Sequence, residues 1–589
     1  MNNNRNIKLE TVILATLIAL IAWMRLADLG RNPLNDTEAV HALTAASMTT
    51  DASPFWDNAD AAAPGSASYY VFTTMIFQLF SATDATARVV SALAGIVLVL
   101  SPLILRPRIG TARSLIAVLV LAITTSGWTL ARTAGGSALA AASLAVFVFL
   151  AWSSDSSDDK RIRLLLAAGV LGYALASGST IVQGLFGLLV ATGLSRVIAF
   201  RQRKPFEEFA RLIAVRSGLW VSLAVMLLVA SGVGFYWNGL AGLGESLTEW
   251  LRGWTEPGLH SALSYVLMLV SYEPLFVVIG LVGAVLAWLR KDSLGQAASL
   301  WALGSLFGSL VYPARGAADL ILVVLPLSIL VSYAVSVLIE RIARRGVGLE
   351  LVGLASVLLV LTASAWISLV GYANGYILEY TPTDPGLILL VFSALIIMAV
   401  SLLLFFGLGW SWEVVADALG ITAALILAAI TLSAAWRLNF AALTTGAREL
   451  WRPEAITNGM RQLTGTLDNA SLAYAGRTDE IAVEVQSEIN PALAWALRGY
   501  NRAGGEFNLE ADPSPTILAL ESASATSLHA DYMGQSMALK ERRVWDSNLP
   551  PDLLRWFVLR SAPTEFERWI LWVRMDIATL GEVGFTDSD

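Results

Sequence analysis

Asn35-Asp36-Thr37-Glu38-Ala39-Val40-His41-Ala42 is the stretch on which the fold turns. Its start is polar and acidic, yet it stands between two apolar runs, Thr11 to about Met24 before it and 86–105 after it. Such an order describes a chain that crosses a bilayer, folds outside it and re-enters. The stretch itself reads as a helix start. Asn35 stands as N-cap with Glu38 at the third helical position, a capping box. Asp36, in the first turn, suits the helix dipole.

The rest of the chain agrees with a membrane location. Of 589 residues, 56% are hydrophobic and only 14% charged, with a mean hydropathy of +0.64. Soluble proteins carry about 25% charged residues. Cysteine is absent, which excludes disulfides, thiol catalysis and Cys-bound metals. The histidines, His41, His260 and His529, are too scattered for a His-rich metal site. The net charge of −7 gives no basic face for nucleic acid, so no nucleic-acid partner is expected.

Further apolar runs fall at 114–130, 137–152, 164–178, 181–199, 217–236, 262–289, 297–313, 317–338, 350–370, 386–409 and 418–436. The reading is a polytopic α-helical membrane protein with about 13 transmembrane helices over 1–436. With the N-terminus in the cytoplasm, 19 of the 25 basic residues before Arg437 fall inside, as the positive-inside rule requires. The dense segment Phe200–Arg216 is then a cytoplasmic loop. The odd number of spans puts the C-terminal part, 437–589, outside the cell membrane. That part holds 14 basic and 21 acidic residues and so carries the whole net charge.

Three outer loops are long: 26–85, Trp237–Ser261 with Glu245, Glu249, Trp250 and Trp254, and Gly371–Pro385 with Tyr372, Tyr376 and Tyr380. In the first, Asp36–Met48 and Ser66–Phe80 read as two membrane-lying helices, with Tyr69 and Tyr70 at headgroup depth. Asp36 and Glu38 are the candidate catalytic carboxylates, able to deprotonate an acceptor beside the membrane. Helix capping is the structural alternative. As a metal site they are a thin pair with no third ligand, leaving Mg²⁺ or Mn²⁺ only conceivable.

Asn35 to Ala42, continued through Ser68-Tyr69-Tyr70 and Asp84-Ala85-Thr86-Ala87-Arg88, resembles the GT-C membrane glycosyltransferases, such as protein mannosyltransferases and the lipid A aminoarabinose transferase. Ala131-Arg132-Thr133-Ala134 is a further echo. The likeness is good over 1–150 and weak over 300–340. It implies a GT-C-like fold and transfer of a sugar from a polyprenyl-phosphate donor on the outer face. Aligned on Glu38-Ala39, Thr37 stands where the family usually has Asp, and Gly135-Gly136-Ser137 where an acidic residue often follows. Glu38 to Ala42, Pro491 to Arg498 and Arg568 to Arg574 also resemble a flippase-associated branch related to archaeal N-glycosylation.

Arg315, between two spans, is the candidate lipid-phosphate clamp, or else an interfacial anchor. Asp319 is its natural partner. Arg88 and Arg132 lie on the outer side as candidate substrate-binding residues, with Asp84 one turn before Arg88 as an ion-pair partner. His41, one turn after Glu38, can hydrogen-bond that carboxylate and is a substrate-binding candidate with Tyr69 and Tyr70.

In the tail, Thr457–Leu467, Asn490–Tyr500, Leu553–Arg560 and Glu565–Ile577 read as helices, and Glu480–Val485 and Pro515–Leu520 as strands. These make an acidic α/β domain. Three functions remain: a lipid-linked-sugar glycosyltransferase; a non-catalytic GT-C-like scaffold binding membrane or cell-surface proteins through its outer loops and tail; and, weakest, a transporter, for which there is no internal repeat and few charges within the spans.

Overall fold

A computed structural model describes residues 9–48, 53–56, 65–153, 160–198, 216–374, 384–441, 446–503, 514–521, 530–545 and 549–580. Most of the Phe200–Arg216 loop, and Tyr376 and Tyr380, lie outside the described residues. The chain is a multi-pass membrane protein with a C-terminal sheet. Among the described residues, seven helices are long and apolar enough to cross a bilayer, or nine if each of two bent pairs is one span. Four more apolar helices are shorter; Ser137–Trp152, for example, has 16 residues. By length and composition the expected count of about 13 spans, several of them short, is not confirmed. Gly386–Gly409 packs partly buried residues, such as Ala399, Leu402 and Phe406, against its neighbours and leaves its most apolar stretch without a fully buried residue, as suits a helix facing lipid.

The runs 114–130 and 262–289, each expected as one span, are broken. Thr111–Ala122 meets Thr125–Ala131 at 65°, and Ala262–Tyr272 meets Pro274–Leu289 at 89°. Pro274 cannot continue the preceding hydrogen-bond ladder. The two breaks satisfy one another. Thr125 Oγ1 donates to the Tyr272 carbonyl at 2.8 Å, and the Ser126 amide and hydroxyl donate to Glu273 Oε1 at 2.6 and 2.7 Å. Polar backbone freed within an apolar bundle needs such partners.

The first helices are α1 (Leu9–Leu26), α2 (Asp36–Ser47), α3 (Ala67–Phe80) and α4 (Asp84–Leu100). α2 and α3 form where the loop pattern predicts helices. Their surroundings differ from that prediction. Leu34, Ala39, Leu43, Tyr69 and Tyr70 share one apolar core with Leu463, Leu467, Trp495 and Leu571 of the C-terminal part. α2 is thus covered by the tail, and Tyr69 and Tyr70 are 0% and 2% exposed. Buried phenols need hydrogen bonds, and Tyr69 donates to the Ala87 carbonyl at 2.8 Å. The far end of α3 does expose apolar groups, Leu79 and Phe80.

The tail sheet comprises β1 (Glu454–Ile456), β2 (Ala482–Val485), β3 (Asn501–Arg502), β4 (Thr516–Leu520), β5 (Tyr532–Arg543) and β6 (Thr564–Arg574), in the order β1-β5-β6-β4-β2-β3. β5 and β6 pair antiparallel; β4 and β2 run parallel. Glu565–Ile577, expected as a helix, is mostly β6. Trp569, Leu571 and Val573 alternate inward with a period of two, between the partners β5 and β4.

Candidate functional site

The capping box at the start of α2 forms as its sequence predicts. Asn35 Oδ1 accepts from the Glu38 amide at 3.0 Å, and Glu38 Oε2 accepts from the Asn35 amide at 3.2 Å. Glu38 does more than cap. Arg88 on α4 reaches it with a two-pronged grip, Nε to Oε1 and Nη2 to Oε2, both at 2.8 Å. The Ala134 amide adds a bond of 2.9 Å. Burial pushes the Glu38 carboxyl up, but the Arg88 charge and hydrogen bonds, with Ala134, hold it below its ordinary value. Arg88 also donates to the carbonyls of Leu29, Asn32 and Pro33, fixing the loop before α2. Its partner is therefore Glu38 and not Asp84, which instead accepts from Trp495 Nε1 at 2.7 Å.

Asp36 projects the other way. Its Oδ2 receives Lys540 Nζ of β5 at 2.5 Å, and its Oδ1 receives the Ala492 amide at 3.1 Å. Both partners belong to the tail. Lys540 also pairs with Glu454. Burial lowers the Lys540 ammonium, yet bonds to Asp36 and Glu454 outweigh it and raise the group above its usual value.

His41 bonds the Tyr70 hydroxyl through Nδ1 at 3.2 Å rather than Glu38. Burial pushes the imidazole down to about 4 despite the Glu38 charge, so it is neutral at pH 7. Arg132 donates to the carbonyls of Ala27 and Asp28 and lies 4.7 Å over the Phe440 ring. Arg315 donates to the Ser309 and Leu310 carbonyls at 3.0 Å each and to the His260 carbonyl at 3.1 Å. It closes the C-terminal end of the helix Ser293–Val311, a favoured place for a cation. The expected pairing with Asp319 does not form; Asp319 accepts from the Gly316 amide at 2.9 Å.

Asp36, His41, Asp319 and Lys540 border two adjoining cavities of about 360 and 370 Å³, a size suited to small ligands. Thr37, His41, Ser137, Gly316 and Ala318 line both. The first is walled by Glu249, Trp250, Tyr312 and Gln183. There Trp250 stacks on Tyr312 at 11° and donates to Gln183 Oε1 at 2.9 Å. Glu249 accepts from the Gly65 amide at 3.2 Å, and burial pushes its carboxyl up. The second cavity is walled by Asp36, Lys540, Trp451, Arg452 and His260. Gly136 permits the close packing at the junction: a Cβ there would stand 2.0 Å from Ser66 Oγ and 2.2 Å from the Ser177 carbonyl.

The structure thus brings Asp36, Thr37 and His41 to one cavity wall. It spends Glu38, Arg88, Arg132 and Arg315 on other polar partners, and buries Tyr69 and Tyr70 in the core beside them. Lys540 and Arg452 are site residues the sequence pattern did not single out. A metal at Asp36 and Glu38 does not fit: the two carboxylates face different partners, both of them cationic. Among the described residues no three His, Asp or Glu side chains converge.

This arrangement, a multi-span helical body whose long first loop packs under a C-terminal sheet-bearing part, is shared with solved structures. The chain is similar to ArnT from Cupriavidus metallidurans bound to undecaprenyl phosphate, with a TM-score of 0.55 and 13% identity over 96% of this chain and 99% of that one. It is similar to the same protein in the apo state, with a TM-score of 0.53 and 13% identity over 97% and 99%. A looser likeness, with a TM-score of 0.40 and 11% identity over 83% of this chain and 64% of that one, reaches the Archaeoglobus fulgidus oligosaccharyltransferase. No protein-family profile matches the sequence, and no curated protein is significantly similar to it.

Proposed function

We propose that the protein is a membrane glycosyltransferase that moves a sugar from a polyprenyl-phosphate donor to an acceptor on the outer face of the membrane. The observation that carries this reading is the paired cavity under the tail, with Asp36 and Thr37 on its wall, in a chain whose fold matches a protein solved with undecaprenyl phosphate. The N-terminus is cytoplasmic and the tail extracytoplasmic, which puts the cavity on the outer side. The soluble part is taken as 437–589, carried on a transmembrane body of 1–436 with about 13 crossings once the shorter helices are counted.

In this reaction Asp36 takes the proton of an acceptor hydroxyl or amine. The acceptor atom attacks the anomeric carbon, the bond from that carbon to the phosphate oxygen breaks, and its electron pair leaves on the polyprenyl phosphate. One displacement inverts the anomeric centre. Lys540 and the Ala492 amide hold Asp36 in a fixed orientation, so little reorganisation is needed when substrate arrives.

A second reading, a non-catalytic scaffold binding membrane or cell-surface proteins, is favoured by one feature: both acids of α2 have protein partners on both oxygens. Turnover of undecaprenyl-phosphate-linked sugars by the reconstituted protein separates the two. The enzyme reading expects Asp36→Asn to lower the rate by about 10²- to 10⁴-fold, the size of a general-base contribution. Equal rates for both proteins would remove Asp36 from the chemistry, and no turnover by either would favour the scaffold.

A further inference from the structure

Arg452 follows the last long helix, Trp412–Phe440, and immediately precedes Pro453 and β1. It lines the second cavity and also a neighbouring space of about 30 Å³ beside Glu38, Arg88 and Arg132. That space is large enough for one water. Every other cation around these cavities already has partners. Arg88 grips Glu38, Arg132 and Arg315 are turned onto main-chain carbonyls, and Lys540 is held by Asp36 and Glu454. The Arg452 side chain makes no hydrogen bond or ion pair to another described residue. Unlike Arg25, whose Nε and Nη1 are shut away without a partner, Arg452 borders open cavity space and keeps its donors available to a ligand.

We infer that Arg452 is the group that binds the donor's phosphate, and that the ligand is a lipid phosphate seated in the cavity below the tail. This rests on the proposed function. It differs from the sequence expectation, which gave the clamp to Arg315. The planar fork of an arginine matches two phosphate oxygens at once. The adjoining wall of Leu130, Ala138, Leu259, Ala317 and Trp451 is apolar, which favours an amphiphile over a free ion. The site is then completed by the C-terminal part: Arg452, with Trp451 beside it, comes from beyond the last membrane helix. Asp36 lines the same cavity, so a phosphate at Arg452 sits in the compartment where the proton acceptor stands.

The test is binding of undecaprenyl phosphate to the full-length protein in phosphatidylcholine nanodiscs, with inorganic phosphate as a second arm. Arg452→Gln is expected to weaken undecaprenyl phosphate at least about ten-fold, the loss of a charge-assisted bidentate contact. Arg452→Lys, which keeps the charge but not the fork, recovers part of that loss. Arg477→Gln, a change at an exposed tail residue, stays within about two-fold of wild type. Equal thermal midpoints for wild type and Arg452→Gln without ligand show that the variant is folded. Arg452→Lys, which preserves the cation, provides the comparison if they differ. Wild-type affinity in both Arg452 variants would overturn the assignment and leave the glycosyltransferase reading standing. Failure of wild type to bind undecaprenyl phosphate would overturn both. Inorganic phosphate binding as tightly as the lipid, with the same loss in Arg452→Gln, would overturn the lipid as ligand.

Discussion

Lys540 and Asp36 lie 504 positions apart in the sequence and meet at 2.5 Å, with Lys540 buried between Asp36 and Glu454. The contact fastens β5 of the tail to the first turn of α2. It makes the tail part of the site rather than an appendage, since the same carboxylate also receives the Ala492 amide.

Lys540→Gln is therefore expected to loosen the tail. Asp36 and Glu454 are part-exposed, so the cost is about 1–3 kcal/mol, below the 3–5 kcal/mol of a fully buried pair. Faster hydrogen exchange in Pro491–Ala496 and β5 would register it. The pH dependence has a definite sign. Lys540 is raised in the folded chain, so its contribution is fully present below its unfolded value of 10.5 and is lost as pH rises through the higher folded value. The difference in thermal midpoint between wild type and Lys540→Gln should be constant from pH 7 to about 10 and shrink above it.

Arg88→Ala strands Glu38 in the core with its charge uncompensated, at a cost of about 3–5 kcal/mol. Glu38→Gln removes the ionic half of the grip and also lowers the thermal midpoint. Glu38 is depressed in the folded chain, so its contribution is present above its unfolded value of 4.5 and lost as pH falls through the lower folded value. Thermal denaturation between pH 7 and 3 reads this: the wild type loses stability on acidification, and Glu38→Gln loses less. A Glu38→Gln protein as stable as wild type would contradict the anchoring role.

Glu249 faces the other cavity, beside Trp250 and Tyr312, where hydroxyl-bearing ligands find an acceptor next to aromatic surface. We expect Glu249→Gln to raise the KM for the sugar donor by about 10- to 100-fold, the weight of a hydrogen bond to a charged group, with kcat changed less than in Asp36→Asn. Steady-state kinetics of the two variants side by side check it. A kcat loss in Glu249→Gln as large as that in Asp36→Asn would make Glu249 the proton acceptor.

Much of the body was legible because its signals are local. Apolar runs placed helices, Asn35 with Glu38 marked the start of α2, and the break at Ser177-Gly178 fell between the helices Lys160–Leu175 and Ser179–Val197. What the sequence hid is what depends on distant contacts. The kinks near Thr125 and Glu273 are stable because each break supplies the other's hydrogen bonds. β6 reads as a helix on its own, and only its pairing with β4 and β5 makes it a strand. Arg88 chose Glu38 over Asp84 because the pair is buried together, while Asp84 is taken by Trp495. Arg452 and Lys540 carry no motif; they matter because the tail folds back over α2. Spacing singled out acids and arginines, but it could not say which would already have partners.

The central claim is that a lipid-linked sugar enters the cavity between α2 and the tail. Photo-crosslinking with a diazirine analogue of undecaprenyl phosphate, with the label placed next to the phosphate, measures this directly. The labelled peptides should contain residues 130–138 and 451–456, and labelling should be competed by unlabelled undecaprenyl phosphate. Uncompeted labelling confined to lipid-facing helices such as Pro385–Gly409 would contradict it.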